Sequence, residues 1–112
     1  MNKILVNLAM LSIFAISLPA NAVPASAWRT RKTSLSSREQ CIRRAFNTME
    51  QAGFKEIRIS GHHKMAVYGG NEQTSSYIVC ENGGALAAIF CSSYNSNESR
   101  NSCDYIAASM SQ

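Results

Sequence analysis

Thr74-Ser75-Ser76-Tyr77-Ile78-Val79-Cys80-Glu81 and Gly84-Ala85-Leu86-Ala87-Ala88-Ile89-Phe90-Cys91-Ser92 stand on either side of Asn82-Gly83. Two runs rich in β-branched, aromatic and small apolar residues around Asn-Gly predict a β-hairpin, because these two residue types tolerate the positive φ that a tight turn needs. With Asn82 and Gly83 as the turn pair, Glu81 lies opposite Gly84, Cys80 opposite Ala85 and Cys91 opposite Thr74. Side chains alternate along a strand. Ile78, Cys80, Ala85, Ala87, Ile89 and Cys91 therefore share one face, and Tyr77, Val79, Leu86, Ala88 and Phe90 the other. The face with the cysteines is expected to meet the core.

Upstream of the hairpin, Phe54 to Ser60 sets Ile57 and Ile59 against Glu56 and Arg58, the alternation of a half-buried strand. Gly61-His62-His63 reads as a turn, Lys64 to Gly69 as a second strand, and Gly69 to Gln73 as a loop into the hairpin. Before these strands, Ser36-Ser37-Arg38-Glu39 and Ser37-Arg38-Glu39-Gln40 are overlapping capping boxes. Cys41, Ile42, Ala45, Phe46, Met49 and Ala52 follow at helical spacing, and Gly53 ends the run. After the hairpin and a polar stretch from Ser93 to Asn97, Cys103, Ile106, Ala107 and Met110 recur at i, i+3, i+4 and i+7, which predicts a C-terminal helix. The expected fold is a two-layer α+β domain: a helix packed on a four-stranded antiparallel meander, followed by a second helix.

The cysteines fit this frame in one way. Cys80 and Cys91 are about 20 Å apart along the hairpin face, beyond the ~4–7 Å between Cα atoms that a disulfide spans, so each must reach a helix. The first helix, about 18 Å long, matches the strand that folds back along it, which sets Cys41 near the Gly61 turn. The third strand of a meander ends on that side, so Cys41 is expected to bond Cys80, leaving Cys91 for Cys103. No pair has the C-x₂₋₄-C spacing of a structural zinc site, and neither metal nor cofactor is expected.

Oxidised cysteines imply an exporting compartment, and the N-terminus agrees. Lys3, the apolar run Ile4 to Leu18 and Pro19-Ala20-Asn21-Ala22 have the layout of a signal peptide over residues 1–22, with a second cleavage site after Ala27. The mature chain is expected in a periplasm or outside the cell, without a transmembrane segment. Residues 23–35 read as a basic flexible lead-in and 36–112 as one domain. Such a domain buries only about 60–65% of its unfolded surface, so its core alone gives a modest margin and two disulfides make physical sense. Arg29, Arg31, Lys32, Arg38, Arg43 and Arg44 lie early in the mature chain against Glu39, and a basic arm of this kind attracts anionic envelope surfaces. Trp28 is the one aromatic among them, which disfavours nucleic acid as a partner.

Catalytic residues do not declare themselves. Adjacent residues on a strand point to opposite faces, so His62 and His63 cannot easily serve one centre, and Glu72 and Glu81 lack an evident partner carboxylate. A small secreted hydrolase such as a ribonuclease, using His62 or His63 with Glu81 and Arg58, is the enzymatic alternative. The outward set Tyr77, Val79, Leu86 and Phe90 is the stronger feature: left uncovered, it is a partner face or a homodimer face, unless the lead-in with Trp28 lies over it.

Cys41 in a first helix, Ala52-Gly53-Phe54 at its close, Tyr68-Gly69 on one strand and Tyr77-Ile78-Val79-Cys80 on the next resemble small exported bacterial proteins of uncharacterised function. The resemblance implies an α+β fold and bacterial export, and it assigns no site residues. The functional expectation is a non-catalytic binding or interaction module of the cell envelope or medium, with an unknown protein or an anionic envelope surface as its partner.

Overall fold

A computed structural model describes residues 25–61 and 64–112. The expected signal peptide, His62 and His63 lie outside the described residues. The chain forms β1 (Ala25–Lys32), α1 (Arg38–Gln51), β2 (Glu56–Ser60), β3 (Ala66–Gly70), β4 (Thr74–Glu81), a 3-10 turn (Asn82–Gly84), β5 (Leu86–Ser93) and α2 (Ser96–Met110). The strands make one antiparallel five-stranded sheet in the order β1-β5-β4-β3-β2. Four of them form the expected meander. The fifth is β1, drawn from the lead-in. It pairs edge to edge with β5 from Ala25↔Ser93 to Lys32↔Leu86 instead of lying over the sheet.

The first helix begins where its capping boxes predict. The Ser37 hydroxyl accepts from the Gln40 N–H at 3.2 Å, and the Gln40 side chain reaches back to accept from the Ser36 N–H at 3.1 Å. Two otherwise unpartnered donors at the start of α1 are thereby satisfied. At its other end Gly53 takes φ +86°, its N–H bonds the Glu50 carbonyl and that of Phe54 bonds Met49, a Schellman closure. Phe54 is thus turned inward beside Met49. Both crowd Gly69, where a Cβ would stand 2.7 Å from the Met49 sulfur and 3.0 Å from the Phe54 ring. The missing side chain on β3 is what lets α1 close on the sheet. α2 starts at Asn95, whose side-chain oxygen accepts from the N–H groups of Asn97 and Glu98.

Both helices lie on one face of the sheet, α1 over β2, β3 and β4 and α2 over β1 and β5. The core between the layers holds Met49, Val67, Ile78, Ile89, Ile106 and Met110, all fully buried. Each such side chain contributes about 1.5–3 kcal/mol of transfer free energy. Cys41 bonds Cys80 and Cys91 bonds Cys103, with Cα separations of 6.0 and 5.7 Å, so each helix is tied to one of the two adjacent strands β4 and β5. No helix among the described residues is long and apolar enough to cross a membrane.

The hairpin register differs from the expected one by two residues. Glu81 pairs with Leu86, Cys80 with Ala87 and Cys91 with Ser76, so Asn82 to Ala85 all belong to the connection. Asn82, Gly83 and Gly84 take φ of 56°, 65° and 96°. The Gly84 carbonyl accepts from the Thr33 hydroxyl at 2.5 Å, and that of Ala85 from the Thr33 N–H at 2.9 Å. The longer turn is what docks beside the start of α1. A shift of two preserves the faces, since only an odd shift inverts them. Ile78, Cys80, Ala87, Ile89 and Cys91 accordingly point into the core, and Ala85 alone leaves the expected set.

Candidate binding face

The helices leave the other face of the sheet uncovered by any described element. Its side chains fall into ranks that run across the strands. One rank is aromatic from end to end: Trp28 lies opposite Phe90, Phe90 opposite Tyr77, Tyr77 opposite Tyr68, and Tyr68 opposite Arg58. At a strand spacing of about 4.8 Å, the four rings span about 14 Å and the guanidinium extends the rank to about 19 Å.

The inner part of the rank is fixed by its neighbours. The Tyr77 hydroxyl lies 2.8 Å from the Ser60 hydroxyl, in hydrogen-bond contact. Tyr68 meets Tyr77 edge to face, centroids 6.4 Å apart at 62°, and the Arg58 Cζ sits 5.2 Å from the Tyr68 centroid. Arg58 is also paired with Glu56 at 3.1 Å. Tyr68 leans along its strand over Gly70, where any Cβ would collide with its hydroxyl. The outer part is open to solvent, with Trp28 65% and Phe90 48% exposed.

Beside the rings runs a rank of small residues, Ser26↔Ser92↔Ser75↔Gly70. Tall rings next to short side chains make a groove of about 330 Å³, lined by Trp28, Phe90, Tyr77 and Tyr68 and by the serines. It continues into a depression of about 240 Å³ formed with Asn71, Glu72, Gln73, Thr74 and Tyr94. The loop there is held by the Asn71 N–H bonding the Thr74 carbonyl at 2.8 Å, while the Asn71 side chain accepts from the Lys55 N–H at 2.9 Å. On the opposite flank lie Thr30, Ala88, Val79, Ala66 and Ser60.

The residues singled out from sequence distribute as follows. Tyr77, Val79, Leu86 and Phe90 all lie on this outward face, with Leu86 between Lys32 and Glu81 at its margin. Trp28, Tyr68 and Arg58 complete the rank and were not grouped with them. Arg58 and Glu81 are two strands and two ranks apart, about 16 Å by sheet spacing, and do not converge. No group of three or more His, Cys, Asp and Glu able to hold a metal occurs among the described residues.

The basic residues do not form one arm. Arg29 turns toward the helix layer and pairs with Asp104 at 3.1 Å, Arg31 and Lys32 stay exposed on β1, and Arg38, Arg43 and Arg44 belong to α1. A second depression of about 450 Å³ lies between α1 and the free edge of β2, with Ile42, Phe46 and Ile59 as its floor and Arg38, Arg43 and Lys64 on its rim. Comparison of the sequence with protein-family models and with curated proteins finds none that matches the chain.

Proposed function

We propose that the chain is an exported, non-catalytic binding module of the bacterial envelope or medium, and that its ligand docks on the open face of the sheet. The observation that carries this is the cross-strand rank from Trp28 to Arg58. A domain this small gains most from turning large rings inward. Here aromatic residues on four successive strands sit in register on the side away from the core, two of them widely exposed. Aromatic side chains bring large contact area at low entropy cost, which is why they concentrate at recognition surfaces.

Export supports the same role. Two disulfides suit an oxidising compartment, and the apolar N-terminal run with its small-residue cleavage sites suits secretion. The test is differential capture from the envelope fraction and culture medium by immobilised oxidised domain. Whatever the wild type and an Arg43→Ala control retain should be lost with the Trp28→Ala/Phe90→Ala variant. Equal capture by all three would place the interaction elsewhere.

A further inference from the structure

We infer that the ligand of the open face is an uncharged glycan with a flat, extended backbone, its pyranose rings stacked on the aromatic rank and its hydroxyls bonded along the serine lane. The inference rests on the binding-module reading and names the ligand class.

The chemistry of the face selects for a polyol. A pyranose ring has a C–H face that packs on aromatic rings and an equatorial girdle of hydroxyls that must keep hydrogen bonds when desolvated. Ring faces and hydroxyls occur side by side here. Ser26, Ser92 and Ser75, whose hydroxyls both donate and accept, flank Trp28, Phe90 and Tyr77, and Gly70 lies beside Tyr68. The lane ends at the amide-bearing loop of Asn71 and Gln73, which offers further donors and acceptors. A chain lying along the groove would run across the strands, with about 14 Å of rings beneath it. Tyr77 is already bonded to Ser60, and Tyr68 is wedged between Arg58 and Gly70, so less freedom is lost when the ligand lands.

Charge and area argue against other occupants. The strands of the face carry Arg58 paired with Glu56, and Lys32 and Glu81 on either side of Leu86, so the two signs are equal there, and Glu72 at the end of the groove adds a negative charge. A nucleic acid or an anionic glycan needs a run of unopposed cations to neutralise its backbone. A second copy of the chain is disfavoured by size. Four ranks on β1, β5 and β4 and three on β3 and β2 give roughly 600 Å², short of the ~800 Å² per partner in a stable protein interface.

The sequence contains one tryptophan, Trp28, so its fluorescence reports this face directly. The experiment titrates the oxidised mature domain with chitohexaose and cellohexaose at low and high salt, and in parallel with a polythymidine oligonucleotide and a proline-rich peptide. The expected result is a saturable change in Trp28 emission with at least one hexasaccharide, independent of salt. Affinity should fall about tenfold or more in Phe90→Ala and measurably in Ser75→Ala, with the circular dichroism of both variants unchanged. Response to the oligonucleotide or the peptide alone overturns the glycan class and leaves the open face as a binding site. No response to either hexasaccharide overturns the glycan class, and envelope capture that also survives Trp28→Ala/Phe90→Ala overturns the face as well.

Discussion

The α-carbon of Gly84 rests against the carbonyl of Ser37, the residue that caps α1, so closely that a Cβ there would collide with it. The contact joins the hairpin turn to the helix start, two places far apart in the chain. Gly84→Ala introduces both that collision and a side chain at φ +96°, and is expected to cost about 3 kcal/mol or more. Gly83→Ala has open space around it and only the positive φ of 65° to bear, about 1 kcal/mol. Urea unfolding of the two variants should separate them clearly. Equal losses would mean that the turn is not docked on the helix.

Trimming the aromatic rank should leave the fold nearly intact. Trp28 and Phe90 are exposed, and their cross-strand pair contributes about 1 kcal/mol or less. Trp28→Ala and Phe90→Ala are therefore expected to shift the urea midpoint only slightly. Ile89→Ala, one position along and fully buried, should cost about 2–5 kcal/mol. A Phe90→Ala loss comparable to that of Ile89→Ala would show that the ring serves packing.

The disulfides close loops of unequal length, with sequence separations of 39 and 12. Chain entropy gives about 4 kcal/mol for Cys41–Cys80 and about 3 for Cys91–Cys103. Paired Cys→Ala variants should rank in that order in denaturant, and non-reducing peptide mapping should recover Cys41 with Cys80. Recovery of Cys41 with Cys91 would contradict the layer arrangement.

The position at which the proposed signal is cleaved bears on the sheet itself. Removal of residues 1–22 leaves β1 whole, whereas cleavage after Ala27 removes the pairs Ala25↔Ser93, Ser26↔Ser92 and Ala27↔Cys91. The intact mass of exported protein is expected to begin at Val23 with no free thiols. A recombinant chain starting at Trp28 should be less stable by about 2 kcal/mol, the scale of a few lost ladder hydrogen bonds.

Much of this architecture was legible because it depends on local pattern. The caps of α1, the alternation in β4 and β5 and the one feasible pairing of four cysteines were enough to place both helices against a meander. The hairpin register was less legible, because Asn82-Gly83-Gly84 permits more than one turn and the choice falls to Thr33 and Ser37, which touch it from far upstream. β1 was hidden for a related reason. Its inward positions are Ala25, Ala27, Arg29 and Arg31, small or charged, so no apolar alternation marks them. They suit the site only because α2 packs close and Asp104, 75 residues away, meets Arg29. Without β1, Trp28 has no place beside Phe90. Half of the outward patch was visible in Tyr77 and Phe90, and its continuity across the sheet required the register of every strand.

The covalent map of the chain divides the open face unequally. Cys41–Cys80 encloses α1, β2, β3 and β4 in one loop, and Cys91–Cys103 anchors β5 to α2. β1 precedes all four cysteines and is held by its ladder to β5, by packing under α2 and by the Arg29–Asp104 pair. It is therefore the strand that can peel away while the remainder stays crosslinked, and its amides should exchange with solvent deuterium well before those of β4 and β5. Trp28 travels with it. The groove then has a fixed wall of Phe90, Tyr77 and Tyr68 and one ring on a detachable strand, so a ligand that touches Trp28 should slow exchange in β1 before it slows exchange anywhere else.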